Sequence, residues 1–342
     1  MERTDLAFET GLGSTPIRDL GLKIAGTPLE PIVRQFESEL DRAGIRRLRP
    51  RFYLSTEWGV PTGSVAIAMP FYLARPDLTA LHAQRTGYVE GLDPADILRY
   101  LRHEMGHVVN YAYRLYDEPE WVKLFGAITQ PYVEEYRPQP FSRRFVRHLP
   151  GWYAQKHPDE DWAETFAVWM TPGIDWRAQY AGAPEAMAKL AYCDRTMAAL
   201  SDRDPLVAQG NLDEDVGELG YSVEQFYASL PHDQDVFPPG LDGALRTIFE
   251  DLGFHEDLST AAPRRPASAL LKRLEPDLLA NVFRWTGHFP ERTQLLLKHL
   301  QRRADELKQV YPEDREQPLA IAFTALITAL AMNYVHHGNY LR

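Results

Sequence analysis

Cysteine is almost absent from the sequence, which has one such residue, Cys193, among 342. A single cysteine excludes an internal disulfide framework and is typical of a protein from a reducing compartment. Positive charge is also scarce, since 37 lysines and arginines stand against 48 aspartates and glutamates and the formal net charge is −11. Because binding to nucleic acid depends on neutralising phosphates, this balance argues against a nucleic acid as partner.

Targeting signals are missing as well. The first residues lack a basic segment followed by an apolar segment, the pattern of a secretory signal. We therefore expect a cytoplasmic protein. Residues 319–335 carry no charge, but this run of 17 residues is at the lower limit for a membrane span and is rich in alanine and threonine. We therefore expect it to form a buried core helix, with no membrane as partner.

The pattern of elements predicts an α+β fold. The composition, 44% hydrophobic and 25% charged, is that of a globular protein. Residues 51–58 and 64–74 are predicted to be strands, and Pro70 favours an edge position for the second because proline cannot donate to a sheet ladder. An Asp-Pro pair begins a helix over 93–115, which apolar residues continue at helical spacing.

The character of the sequence changes in its last third. After an acidic, turn-rich stretch the pattern becomes helical, with long helices predicted over 290–311 and 317–337. We therefore expect two domains, a mixed one over 1–205 and an all-α one over 206–342.

The dominant motif lies inside the helix over 93–115, where the sequence reads HEMGH. His103 and His107 are four residues apart, so their side chains lie one turn apart on the same helix face. Two imidazoles in this arrangement can bind one Zn²⁺, while Glu104 beside them can accept a proton from the bound water. The motif therefore predicts a zinc site with Glu104 as general base.

A catalytic zinc needs a third protein ligand and an open position for water. The metzincin pattern would place a glycine and a histidine three and six residues after the second histidine. This sequence has Asn110 and Tyr113 there, so the metzincin class is excluded. The remaining source of a ligand is a carboxylate from another helix.

A second helix, opened by Pro158 and predicted over 159–170, carries such carboxylates. Glu160 and Glu164 are four residues apart and share a face, so one can bind the metal while the other holds the free N–H of a ligating histidine. Asp159 and Asp161 are interpreted as solvated acids at a helix start, where the macrodipole favours negative charge.

These residues resemble known families. HEMGH with the downstream EDWAETFAVW is similar to the gluzincin arrangement, in which HExxH is followed by ExxxE or ExxxD. More narrowly, the chain resembles the putative zinc-binding metallopeptidase family over about residues 51–199. The stretches that carry this resemblance are LSTEWG, VAIAMPFYLARP, LRHEMGHVVNYAYRL and WYAQKHPDEDWAETFAVWMTP. The resemblance implies that the domain over 1–205 is a zincin-like metallopeptidase unit with a small sheet beside its active-site helix.

A second resemblance assigns roles to the two glutamates. In the lethal-factor-type toxin peptidases the ligand glutamate begins a similar segment, and a transition-state tyrosine stands seven residues earlier. Carried onto this chain, the resemblance implies that Glu160 binds the metal and that Glu164 holds a histidine from behind. It also implies that Tyr153 donates to the developing oxyanion; the alternative for Tyr153 is packing in an aromatic-rich stretch.

Together these features predict a zinc-dependent metallopeptidase that cleaves a peptide or protein substrate. The predicted site comprises the metal ligands His103, His107 and Glu160, the catalytic residues Glu104 and Tyr153, and Glu164 behind the ligands. The alternative is a catalytically inactive zincin-fold binding or scaffold protein with a structural zinc. An intact Glu104 beside a complete ligand set argues against that alternative, because an inactive site has no need of a base.

Overall fold

The computed structural model describes most of the chain and divides it into two compact units. The first unit consists of residues 1–85 and 89–230, and the second of residues 86–88 and 231–342. Helices dominate both units and the sheets are small, so the predicted α+β class is confirmed. The described residues are 13–86, 88–133, 136, 138–207, 210–230, 237–238, 240–251 and 263–341.

The first unit contains eight α-helices and one two-stranded sheet among its described residues. Its α-helices and strands are, in chain order, α1 (Leu29–Arg42), β1 (Arg51–Ser55), β2 (Ala66–Pro70), α2 (Pro76–Thr86), α3 (Pro94–Tyr113), α4 (Pro119–Phe125), α5 (Pro158–Met170), α6 (Trp176–Gln179), α7 (Pro184–Leu200) and α8 (Val223–Ser229). Short 3₁₀ helices span Ile17–Leu20, Phe71–Ala74, Leu115–Asp117 and Pro150–Gln155.

Local signals define the starts of the two central helices. The Asp93 side chain accepts a hydrogen bond from the amide of Asp96 (2.9 Å), so the predicted N-cap of α3 is confirmed. At α5 the ring of His157 accepts from the amide of Asp159 (3.2 Å), and Pro158 occupies the first helical position as predicted.

Helices α3 and α5 pack together at a glycine. A Cβ built on Gly106 of α3 would lie 2.7 Å from the Cα of Ala163 in α5, which is closer than real Cβ contacts come. The neighbouring Trp162 donates from its indole nitrogen to the carbonyl oxygen of Gly106 (2.8 Å). The absence of a side chain at position 106 therefore sets the distance between the two helices.

The sheet of the first unit is parallel, and its second strand is buried. In register, Arg51 pairs with Ala66 and Ser55 with Pro70, and all five residues of β2 are buried. The strand is shorter than the predicted 64–74, because Pro70 has no N–H to continue the ladder and a 3₁₀ helix follows it. The amide of Ala68 donates to the oxygen of Gly59 (2.8 Å), so the chain itself uses the other edge of β2 at that position.

Residues after 205 continue to pack on the first unit. The amide of Val216 donates to the oxygen of Leu54 in β1 (3.0 Å), and the amide of Ile17 donates to the oxygen of Tyr221 (3.0 Å). These hydrogen bonds explain why the first compact unit extends to residue 230. The assignment of separate domains to 1–205 and 206–342 stays a prediction.

The expectation of an all-α C-terminal region is wrong. Its described residues include a three-stranded antiparallel sheet in the order β3-β5-β4, as well as helices. The elements are α9 (Leu241–Ile248), β3 (Glu250–Asp251), β4 (Arg264–Pro266), α10 (Ala267–Thr286), α11 (Pro290–Glu306), β5 (Gln309–Pro312), a 3₁₀ helix (Glu313–Arg315) and α12 (Glu316–His337). The helix predicted over 290–311 ends early because Lys308 adopts a left-handed conformation (φ 52°) and the chain then enters β5.

Helix α12 forms as predicted, but only one stripe of it is buried. That stripe consists of Leu319, Phe323, Ile327, Leu330 and Ala331, whereas Ile321 is 64% exposed. The helix therefore contributes one face to the core, whereas the sequence predicted a buried core helix. Among the described residues, one helical stretch, Glu313–His337, is long and apolar enough by length and composition alone to cross a membrane.

We predict that Gly106→Ala destabilises the first unit. Alanine is the better helix former by about 1 kcal/mol. However, the new Cβ meets the backbone of Ala163, which cannot rotate away, and such overpacking costs about 1–3 kcal/mol or more. We therefore expect a net loss in the free energy of unfolding, measured by denaturant titration of the metal-free protein.

The matched control is Gly182→Ala. A Cβ at Gly182 would meet no atom within 4 Å, and the residue has no positive φ. We expect the unfolding free energy of this variant to stay within about 0.5 kcal/mol of the wild type. Equal stability of the two variants would contradict the proposed role of Gly106.

Candidate metal centre

Three side chains from α3 and α5 converge on one point. Nε2 of His103 lies 3.0 Å from Oε2 of Glu160, and Nε2 of His107 lies 3.3 Å from the same oxygen. The two Nε2 atoms are 3.3 Å apart, and all three side chains are buried. Three potential ligand atoms therefore form a nearly equilateral triangle.

The size of this triangle fits a zinc ion. Zn²⁺ bonds to protein nitrogen and oxygen at about 2.0–2.1 Å, so two ligands of a tetrahedral ion stand about 3.3–3.4 Å apart. The three separations in the cluster, 3.0, 3.3 and 3.3 Å, agree with this spacing. A His₂Glu set leaves the fourth position of a tetrahedron for water, as catalytic zinc sites do.

Glu164 lies behind His103 and is fully buried. Its Oε1 is 3.0 Å from Nδ1 of His103, the ring nitrogen that faces away from the triangle. Its carboxylate also accepts from the backbone amides of His148 (2.6 Å) and Leu149 (2.9 and 3.0 Å). A carboxylate on Nδ1 fixes the ring orientation and leaves Nε2 free to bind a metal.

Asp159 takes the corresponding position behind His107, which the sequence did not predict. The expectation of a solvated acid is wrong, because Asp159 is 6% exposed and its Oδ2 lies 3.0 Å from Nδ1 of His107. This contact is close but poorly aligned for a hydrogen bond. Asn110 and Tyr111 of α3 each donate to Asp159 at 2.6 Å and keep it in place.

Asp161 was also expected to be solvated, and that expectation is wrong as well. Its side chain is buried and forms an ion pair with the ammonium group of Lys189 in α7. Burial raises the pKa of Asp161 to about 7, although Lys189 acts in the opposite direction. The pair connects α5 to α7 and lies outside the triangle of ligand atoms.

The carboxylates of the cluster favour positive charge on its histidines. Burial alone would lower the pKa of His103, but the contacts with Glu160 and Glu164 raise that pKa to about 9. The pKa of His107 is likewise raised against the effect of burial, by Asp159 and Glu160. Metal binding requires neutral imidazoles. A bound cation would therefore replace these protons as the positive charge that compensates the carboxylates.

Glu104 is buried beside the triangle, with 5% of its surface exposed. Burial raises the pKa of its carboxyl group, and the nearby His103 and His107 offset only part of this effect. Within the described part of the chain, no residue forms a hydrogen bond with its carboxylate. A raised pKa and oxygens that accept no hydrogen bond from the described residues are properties that suit a general base.

Tyr153 reaches the site from the 3₁₀ helix before α5. Its ring centroid lies 5.6 Å from that of His103, and its hydroxyl is 3.3 Å from the hydroxyl of Tyr132. Burial and the charge of Glu160 raise the pKa of Tyr153, so the phenol stays protonated and can act as a donor. The structure thus brings all the predicted site residues together and adds Tyr132 and Asp159 to them.

The comparisons with known proteins agree with this cluster at the level of a family. A family model described as "Putative zinc-binding metallo-peptidase" matches residues 89–203, a stretch that contains α3, α5 and every residue of the triangle. Neither the curated proteins nor the solved structures gave a match. The predicted resemblance is therefore confirmed over this stretch, while the gluzincin subtype stays a prediction.

We predict different effects for the two glutamates of α5. Glu160→Ala removes the oxygen that faces both Nε2 atoms, so we expect this variant to lose most of its zinc. Glu164→Ala leaves the triangle complete but frees Nδ1 of His103, and we expect zinc affinity to fall roughly 10–100-fold. The measurement is competition with a chelator of known affinity.

The two variants serve as controls for each other, because both remove a buried carboxylate from the same helix. Zinc retention by Glu160→Ala together with an empty site in Glu164→Ala would reverse the assignment.

Proposed function

We propose that the protein is a zinc-dependent metallopeptidase of the gluzincin type that hydrolyses a peptide or a related amide bond. The observation that carries the proposal is the triangle of His103, His107 and Glu160 beside the buried carboxylate of Glu104. The match to a zinc-binding metallopeptidase family over the same residues supports it.

In this proposal, His103, His107 and Glu160 hold the metal, Glu164 orients the ring of His103 from behind, and Asp159 places a negative charge behind the ring of His107. Bound zinc would lower the pKa of a water molecule and polarise the carbonyl group of the substrate.

Glu104 would move the proton in this reaction. Its carboxylate takes a proton from water as the water oxygen attacks the carbonyl carbon of the substrate. It then gives that proton to the amine nitrogen as the bond between carbon and nitrogen breaks. Because burial favours the protonated form of Glu104, the residue is suited both to accept and to return a proton.

Tyr153 would act on the oxygen of the carbonyl group. That oxygen gains negative charge as the water attacks, and an O–H donor held beside it stabilises the charge. The position of the Tyr153 ring against His103 supports this role. Packing alone would not require a hydroxyl group at that point.

We predict that Glu104→Gln keeps its zinc and loses catalysis. The amide has the shape of the carboxylate but cannot accept a proton, and general-base catalysis contributes roughly 10²–10⁴-fold to the rate. Zinc stoichiometry and mass spectrometry of products from a mixed peptide library measure the two effects. Near-normal turnover by the zinc-loaded variant would rule out Glu104 as the base.

We predict that Tyr153→Phe lowers kcat by about 10²–10³-fold with little change in KM or zinc content, because the donor acts only on transition-state charge. The assay uses a peptide that the wild type cleaves. If kcat stays within about twofold of the wild-type value, Tyr153 has a packing role only.

The library assay also tests the alternative function. A zinc-loaded wild-type protein that leaves every peptide intact would favour an inactive zincin-fold binding or scaffold protein with structural zinc.

A further inference from the structure

Tyr132 contacts the outer side of the candidate metal centre. It lies in the segment between α4 and the 3₁₀ helix Pro150–Gln155, and 48% of its surface is exposed. Its hydroxyl donates to Oε1 of Glu160 (2.8 Å) and lies 3.3 Å from the hydroxyl of Tyr153. Tyr132 thus touches both a potential ligand and the potential oxyanion donor.

The direction of these two hydrogen bonds follows from a count of protons. A phenol has one hydrogen to donate, and Tyr132 directs it at the carboxylate of Glu160, which accepts only. The hydroxyl of Tyr132 can therefore only accept in its contact with Tyr153. In the absence of substrate, the result is a chain of hydrogen bonds that runs from Tyr153 through Tyr132 to Glu160. To stabilise an oxyanion, Tyr153 would turn its one hydrogen from Tyr132 to the substrate.

The two oxygens of Glu160 consequently have different surroundings. Oε2 faces the Nε2 atoms of His103 and His107, whereas Oε1 faces the hydroxyl of Tyr132. A hydrogen bond to the outer oxygen prevents rotation of the carboxylate and keeps Oε2 directed at the triangle. This is the function that hydrogen-bonding partners of ligating carboxylates have in metal sites.

The position of Tyr132 is itself held from the start of α5. The ammonium group of Lys156 lies 4.4 Å from the centre of the Tyr132 ring, and the ring of His157 lies 5.4 Å from it. Nε2 of His157 is 3.0 Å from the carbonyl oxygen of Gln130, two residues before Tyr132. Several contacts therefore hold Gln130 and Tyr132 against the start of the helix that carries Glu160.

We propose that Tyr132 is a positioning residue of the metal centre, which holds Glu160 through Oε1 so that Oε2 points at the two histidines. The inference rests on the proposed function in one respect, namely that Oε2 of Glu160 and the Nε2 atoms of His103 and His107 bind zinc. Neither the HExxH motif nor the spacing of the glutamates indicates such a residue, because Tyr132 lies outside both helices that carry those motifs.

The test compares Tyr132→Phe with Tyr153→Phe in the full-length protein. Both variants remove one hydroxyl of the same pair, but only the hydroxyl of Tyr132 touches Glu160. We expect Tyr132→Phe to weaken zinc binding about 10–100-fold in a chelator competition. Tyr153→Phe should keep the wild-type zinc affinity.

A readout on the metal-free protein separates positioning from a general structural role. Because Tyr132 is half exposed, we expect the metal-free Tyr132→Phe protein to melt within a few degrees of the wild type. A large drop in that melting temperature would overturn the proposal, since the effect on zinc would then follow from a damaged fold. Unchanged zinc affinity in Tyr132→Phe would overturn it as well.

The outcomes distinguish this inference from the proposed function. If the wild type binds zinc, cleaves no peptide, and loses zinc affinity on Tyr132→Phe, the proposed hydrolase is wrong and the positioning role stands. If the wild type cleaves peptides and Tyr132→Phe binds zinc as tightly, only the positioning role is wrong. A wild type that binds no zinc would overturn both.

Discussion

The site depends on the close approach of α3 and α5 at Gly106 and Ala163. On each helix a pair of site residues one turn apart flanks this contact, His103 and His107 on α3 and Glu160 and Glu164 on α5. Any side chain at position 106 would push the helices apart and move the glutamates of α5 away from the histidines of α3. The glycine inside the motif therefore determines ligand spacing, although it contributes no ligand atom. The hydrogen bond from Trp162 to the oxygen of Gly106 holds the same contact from the side.

The packing of α3 against α5 places more carboxylates than imidazoles in one buried centre. The centre buries four carboxylates beside two imidazoles, namely Glu104, Asp159, Glu160, Glu164, His103 and His107. Buried charge is costly unless it is compensated, and three of the carboxylates have hydrogen-bond donors of their own. Asp159 accepts from a side-chain amide and a phenol, Glu160 from a phenol, and Glu164 from two backbone amides. Glu104 has no such donor among the described residues, so a cation in the centre or a proton would be its compensation.

Local sequence signals were enough to predict the two central helices and the metal motif. The surroundings of Asp159 and the pairing of strand β5 depend instead on contacts between residues far apart in sequence. The cap at Asp93 and the spacing of the two histidines are properties of a few consecutive residues. Asp159 was expected to be solvated because the macrodipole favours an acid at any helix start; its partner Asn110 lies 49 residues earlier. Strand β5 was missed because its partners are distant in sequence and the left-handed turn at Lys308 carries no glycine.

Glu164 connects the metal ligands to the segment that presents Tyr153. That segment contains Trp152 in a left-handed conformation (φ 62°), which costs a non-glycine residue about 1–2 kcal/mol and requires contacts that hold it. The guanidinium group of Arg147 lies 4.1 Å from the Trp152 ring centre. The backbone amides of His148 and Leu149 donate to Glu164. The same carboxylate holds Nδ1 of His103. Loss of Glu164 would therefore free the ring of His103 and the segment that presents Tyr153 together, whereas loss of Glu160 would remove a metal ligand and the acceptor of the Tyr132 hydroxyl.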